Sequence, residues 1–305
     1  MALQLLNNRN FLLILAFALG LIFSDFAHYT RELIIPILAV ILTASITQVS
    51  IKDFFPLKNL LRPFAFSLGF NFIVLGILSL SLAWILLPGE FWVGYAIIAA
   101  SPPGAAIMPF TYIRNGDITF SLMGTFTVYL SALVITPLMT FALTGGVLVS
   151  PLELFTTMVQ IILIPFIVSQ VLNKLRLTKY IEAYRGTIIK WGFFIVVFTV
   201  IGLNREVFFT NLDILVRIAT IALITTFVLG ALLQSLLNKT GLVNKQEARS
   251  LVLISTIKNM GFASAIALAF FEEIASIPAA ITAAVYAIYF IFLGITANKS
   301  APEQQ

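Results

Sequence analysis

Two short stretches hold the chemistry that this sequence can do: Ser101-Pro102-Pro103-Gly104 and Lys258-Asn259-Met260-Gly261. Each interrupts an apolar run near its middle. Pro102 and Pro103 remove two helix N–H donors, and their rings clash with the preceding turn. Gly104 lets the chain reorient at little steric cost. In lipid every backbone polar group must be satisfied internally, so such a break survives at depth only beside protein or a watery cavity. The next half-helix, expected from about Ala105 to Arg114, points its N-terminal N–H groups at the break, and such an end attracts anions. Pro109 lies inside it and is expected to add a kink. A single proline would read as an ordinary kink in a continuous helix, whereas Pro-Pro-Gly is harder to absorb.

Lys258 is the costly residue. An ammonium at the centre of a bilayer costs at least about 2.5–3.5 kcal/mol on insertion scales. From Arg249 to Lys258 is nine residues, on the order of 14 Å of helix, and from Glu90 to Pro103 is thirteen, roughly 20 Å. With a hydrocarbon core of about 30 Å, both breaks fall near the middle, too deep for the lysine to snorkel out. Three functional roles stay open for it: a fixed cation standing in for a metal ion, a direct ligand for a substrate carboxylate, or a titrating group. The bland alternative, a lysine bracing the crossing of two broken helices, overlaps with the first. Candidate substrate-binding residues are Gly104, Ala105, Ala106, Lys258, Asn259, Gly261, Ser264, Asn71 and Thr111, with the helix breaks at Pro102, Pro103, Gly104, Met260 and Gly261. Thr125, Thr127, Tyr129, Ser131 and Gln160 could line a cavity, although isolated polar residues in spans more often bond a neighbouring helix. Lys190 and Arg217, near span ends, are expected to snorkel. The one histidine, His28, has no partners at metal-ligand spacing, and no nucleotide loop, paired catalytic carboxylates or nucleophile triad is present. An enzyme is not expected, and neither is a cofactor.

The elements that position these residues follow from composition. Of 305 residues 60% are hydrophobic and 10% charged, against about 25% charged in soluble domains. There is too little polar surface to cover a soluble globule, so the chain reads as an all-α polytopic membrane protein. Its net charge of +5 fits loop anchoring at a lipid surface better than nucleic acid. Cysteine is absent, which removes disulfide and thiolate chemistry. Met1 to Asn10 is polar and the apolar run from Phe11 continues into a first span, so no cleavable leader is expected, and the residues from Asn298 read as a short solvated tail.

Apolar runs of spanning length fall at about 10–25, 31–49, 64–87, 91–113, 118–144, 151–173, 187–204, 211–237, 248–271 and 276–297. One alternate set of loops holds nearly all the Lys and Arg, including Arg62, Arg114, Lys174, Arg176, Lys179, Arg185, Lys239 and Arg249. The other holds only Arg31 and Arg205, with most of the acids. Cytoplasmic loops are the basic ones, so both termini are expected inside, in an inner or plasma membrane. Ten spans split into two sets of five, and an odd number inverts the second. Residues 1–146 form the first expected repeat and 147–305 the second. The charge order Glu90–break–Arg114 becomes Arg249–break–Glu272, as inversion requires, and paired breaks in inverted repeats mark the binding sites of secondary transporters.

The segment from Ser101 to Asp117, the Ile135-Thr136-Pro137-Leu138 stretch and the run Ser255 to Ala269 resemble the bile acid:sodium symporter family, within a wider group that includes arsenite and auxin carriers. The resemblance implies a panel domain (spans 1, 2, 6 and 7), a core domain (spans 3–5 and 8–10), broken helices 4 and 9 crossing in the core, and alternating access for organic anions such as bile acids, keto acids or pantoate-like metabolites. The departures matter as much. Ile107-Met108 stands where sodium-coupled members have Ser-Asn, Lys258 where they have a sodium-binding carboxylate, and Phe262-Ala263-Ser264 where they have Gln-Asn-Ser. Sodium needs oxygen ligands and negative charge, by the hard-cation logic of calcium and magnesium. The expectation is therefore a sodium-independent carrier of a small organic anion, with Lys258 in the coupling cation's place and proton coupling or facilitated passage as the remaining modes. An auxin-efflux-type carrier and a non-transporting membrane sensor or scaffold are the alternatives.

Overall fold

Both interrupted stretches fold as their chemistry requires: a helix stops, a few residues run extended, and a second helix starts. The computed structural model describes residues 9–47, 58–104, 106–146 and 150–298. In chain order the helices are α1 Arg9–Ile22, α2 Ser24–Ile46, α3 Lys58–Leu86, α4 Trp92–Ala100, α5 Ile107–Ile113, α6 Ile118–Leu143, α7 Pro151–Lys174, α8 Thr178–Leu203, α9 Arg205–Thr210, α10 Leu212–Thr240, α11 Lys245–Thr256, α12 Met260–Phe270 and α13 Ile277–Asn298. Short 3₁₀ turns lead into α4 and α13. No strand occurs among the described residues, only an isolated two-residue bridge.

Among the described residues seven helical segments are long and apolar enough to cross a membrane: α2, α3, α6, α7, α8, α10 and Glu273–Thr296, which contains most of α13. Three apolar helices are shorter, Phe11–Ile22, Gly89–Ala100 and Met260–Phe270, and the last two are halves of the broken runs. Large apolar side chains such as Trp84, Leu232 and Ile295 face outward, while Asn71, Ser101, Thr111 and Lys258 are buried. Apolar outside and polar inside is the arrangement lipid demands. The chain is an integral, multi-pass, all-helical membrane protein.

Packing sorts the helices into two groups. The α8 helix lies along α1 and α2, and α7 packs on α2; α3 packs on α6 and α4, and α11 to α13 close around the breaks. Mid-helix π turns interrupt α7 at Val159–Leu163, α10 at Ile224–Val228 and α3 at Gly69–Val74. One extra residue per turn there swings Asn71 into the interior, and such bulges are frequent at functional sites.

The loops on the basic side are tied by local chemistry. Asp117 caps α6 by accepting from Phe120 N (2.9 Å). Asn244 and Glu247 form a capping box at α11, and Glu247 also meets Arg62 at 3.0 Å. Ser250 Oγ donates to Asp117 O and Arg249 to Asn115 O, so the start of α11 is fastened to the α5–α6 turn. On the opposite side Arg31 reaches Glu273 (3.3 Å) and Leu268 O (2.5 Å), and Asn204 exchanges hydrogen bonds with Ser276 (2.8 and 3.2 Å).

The structure departs from three local expectations. The half-helix after the first break runs Ile107–Ile113, shorter than the expected 105–114, because Ile107 N turns back to Gly104 O (3.2 Å) before the α ladder begins. Pro109 is its third residue, where an N–H has no helical acceptor, so it adds no kink there. Helices α3 and α8 begin at Lys58 and Thr178, earlier than the apolar runs at 64 and 187, since charged residues extend a helix past the hydrocarbon.

The α7 helix ends at an unexpected residue. Arg176 takes φ +58° and closes the turn with Arg176 N to Asn173 O and Leu177 N to Leu172 O, the position where glycine is normally found. Left-handed backbone costs an L-residue roughly 1–2 kcal/mol and glycine's extra freedom costs about 0.5–1 kcal/mol. Arg176→Gly is therefore expected to stabilise the protein by about 0.5–1 kcal/mol, read by thermal unfolding in detergent. A fall in stability would show that the arginine side chain makes contacts worth more than the strain.

Candidate functional site

At the two breaks the chain solves its backbone accounting by pairing one break with the other. Gly104 N donates to Ile257 O (3.0 Å) and Asn259 N to Pro102 O (2.9 Å), an antiparallel bridge centred on Pro103 and Lys258. The last carbonyls of α4, which no helical N–H can reach, are each taken by a named donor. Ser101 Oγ donates to Ile97 O (2.7 Å), Ser101 N to Ile98 O (3.1 Å) and Thr136 Oγ1 to Ala100 O (2.6 Å). Lys258 Nζ donates to Ala99 O (2.8 Å) and Ser101 O (2.7 Å). Around the second break, Asn71 Nδ2 donates to Ile254 O (3.0 Å), and Tyr286 Oη accepts from Lys258 N (2.9 Å) while donating to Thr256 O (3.1 Å).

The third Nζ donor goes to Asn71 Oδ1 at 2.9 Å. The Asn71 amide is oriented by its bond to Ile254 O, so it presents oxygen to the lysine. Three acceptors at 2.7–2.9 Å match the three protons of an ammonium; a neutral amine would leave one oxygen facing a lone pair. The ring of Phe72 lies 4.6 Å from Nζ, a further cation-favouring contact. Lys258 is 2% exposed. The ammonium sits in a closed cradle of neutral oxygens at the end of α4, where the helix dipole is negative.

Two cavities flank this cradle and share Gly104, Ala106 and Phe193. The smaller, of about 80 Å³, brings together Lys258, Asn259, Met260, Gly261 and Ser264 with Tyr286 of α13. The larger, of about 640 Å³, lies among α2, α5, α6, α7 and the basic end of α8, within the usual range for ligand sites, about 300–1,000 Å³. Its walls include Phe126, Phe166 and Tyr129. Asn259 connects the second break to this cavity: its Oδ1 accepts from Phe262 N (3.0 Å), capping α12, and its Nδ2 donates to Tyr129 Oη (3.2 Å).

The residues expected at a site thus divide. Gly104, Ala106, Asn259, Met260, Gly261 and Ser264 line cavity wall, and Pro102 and Pro103 form the buried break. Ala105 lies outside the described residues. Asn71 is fully buried against Lys258. Thr111 is also buried and bonds Ile107 O and Ser121 Oγ, bracing α5 on α6. Thr127 and Ser131 bond their own helix, and Gln160 faces outward. Arg217 pairs with Asp213 (2.8 Å) and Leu86 O. Sequence reasoning missed Tyr286, whose hydroxyl stands out in an apolar span, and the carbonyls of Ala99 and Ser101, which no residue type announces.

An integral membrane protein whose two interrupted helices are joined backbone to backbone beside a ligand-sized cavity has the build of a membrane carrier. The chain belongs to the Sodium Bile acid symporter family, whose model matches residues 35–217, a family of transporters and not of enzymes. The matched segment contains the first break and ends before the second. A probable sodium/metabolite cotransporter BASS1, chloroplastic, of Arabidopsis thaliana is 23% identical over 222 residues, 72% of this chain and 54% of that protein. The protein of the same name from Oryza sativa subsp. japonica is 32% identical over 89 residues, 29% of this chain and 22% of that one. The chain spans about half the length, or less, of these curated relatives.

Proposed function

We propose that the chain is a secondary transporter that moves a small organic anion by alternating access, without sodium, and that Lys258 fills the electrostatic place of a coupling cation. The observation that carries this reading is the cradle of Asn71 Oδ1, Ala99 O and Ser101 O around Lys258 Nζ. Those oxygens are the kind a sodium ion would need, and the ammonium already uses them. A second cation a few ångströms away would meet about 4 kcal/mol of repulsion at an effective dielectric near 20. A proton, or no ion, is then coupled to transport.

The ten-span plan belongs to the same proposal: inverted repeats over 1–146 and 147–305, termini on the cytoplasmic side of an inner or plasma membrane, and a panel moving against a core. Two of the three π turns among the described residues support it: those of α3 and α10 start at residues 69 and 224, and the bridged residues are 103 and 258; both pairs differ by 155, as a repeat requires. The α1, α2, α7, α8 grouping fits a panel. The large cavity opens beside Arg185 on the basic side, while Arg31 and Asn204 tie the two groups on the other, a cytoplasm-facing arrangement.

Purified protein in liposomes is expected to take up or exchange organic anions equally in sodium and in potassium media. Uptake that stops when sodium is replaced by potassium would overturn the sodium-independent reading, and strictly export-directed flux would favour an auxin-efflux-type carrier.

A further inference from the structure

We propose that Arg185 and Lys190, rather than Lys258, read the charge of the transported anion. This rests on the organic-anion reading above and adds where the charge is held. Each of the three protons on Lys258 Nζ already ends on a protein oxygen, so the lysine has no donor for a ligand. The other cations lining either cavity are Arg185 and Lys190. They stand five residues apart on α8, about 7.5 Å along its axis, and both are half-buried. Span-end lysines and arginines normally reach out to the interface, whereas these two contribute to the wall of the 640 Å³ cavity.

A second observation points to a ligand at the same place. Thr125 is nine-tenths buried on the cavity wall, and its Oγ1 has no hydrogen-bond partner, although buried hydroxyls in folded proteins are nearly always paired. One turn along α6, Tyr129 Oη accepts from Asn259, which leaves its own proton to donate. The remaining wall is mostly apolar and aromatic, with Phe126, Phe166 and Phe193; it also includes Tyr112 and Ser45, whose hydroxyl donates to Ile41 O. Two cations and two hydroxyls beside an aromatic wall fit a carboxylate or sulfonate on a compact apolar body. Gly186 sits between the cations and lines the same cavity, and a Cβ there would meet nothing within 4 Å. Its lack of a side chain leaves that space to the ligand.

The test uses the full chain purified in neutral detergent, with 2-naphthoate and its uncharged analogue 2-naphthamide as probes, and affinity read from the ligand-induced rise in melting temperature. Naphthoate is expected to bind at least about tenfold more tightly than naphthamide, and Arg185→Gln or Lys190→Gln each to weaken naphthoate about tenfold, the loss of one charge-assisted bond, with naphthamide unaffected. Gly186→Leu is expected to weaken both probes while the ligand-free melting temperature stays equal or rises, because leucine is the better helix former. Arg205→Gln, on the opposite side, is expected to change nothing. No naphthoate binding by the parent protein, equal binding of the two probes, or full naphthoate affinity in the Arg185→Gln, Lys190→Gln double variant overturns the proposal. Anion flux in liposomes separates the two readings. Flux that ignores these variants removes the cation pair and leaves transport standing. Pair-dependent binding without flux removes transport and leaves the pair.

Discussion

Lys258→Met is expected to cost about 3–5 kcal/mol of stability, the loss that follows when one partner of a buried charged network is removed. Methionine matches the length of the lysine stem but offers no donor. The carbonyls of Ala99 and Ser101 and the Asn71 amide oxygen would be left buried and unpaired, at roughly 1–3 kcal/mol each unless water enters. Thermal unfolding in detergent measures the effect. The double variant Lys258→Met, Asn71→Leu tells lost bonding from general disruption: with the orphaned amide gone, it should be less destabilised than the sum of the single changes by about 1 kcal/mol. A Lys258→Met protein as stable as the parent would mean the cradle does not hold the breaks together, and the fixed-cation reading would fall with it.

Gly104→Ala is expected to cost about 2–4 kcal/mol, combining an overpacking term with the two hydrogen bonds of the bridge. A Cβ on Gly104 would lie 2.9 Å from Lys258 O and 2.9 Å from Ile257 Cγ2. The first of these is backbone and cannot swing aside. The glycine therefore serves close approach of two chains more than reorientation of one. Gly294→Ala on α13, where a Cβ meets nothing within 4 Å, is the matched control and should be neutral or gain up to about 1 kcal/mol of helix propensity. Equal responses at the two glycines would show that the bridge tolerates a wider gap than its bond lengths suggest.

The parts legible in the sequence are those whose cause is local. Pro102, Pro103 and Gly104 break a helix wherever they stand, and a lysine within an apolar run declares a buried charge. Charge sorting of the loops likewise needs no tertiary information. Partners were not legible, because the acceptors of Lys258 are two main-chain oxygens and an asparagine 187 residues away, and nothing in a residue type shows which carbonyl a helix end leaves open. The π turns left no trace either, since one extra residue hardly alters a continuous apolar pattern. That Arg185 and Lys190 line the larger cavity was not legible for a related reason. A loop-charge rule weighs how many cations lie on a side, not which of them turns inward when the helix starts nine residues earlier than the apolar run.

The bridge between the breaks also sets a problem for biogenesis. Pro102 O and Gly104 N–H find their partners on Asn259 and Ile257, made 157 and 153 positions later. At about 5–20 residues per second of synthesis, the first broken helix waits roughly 10–30 s for the second. Its open backbone groups cannot rest in hydrocarbon during that interval. The first half must linger beside the insertion machinery or a hydrated partner, so completing the pair is a step in assembly that a truncated chain ending before Lys258 could never take.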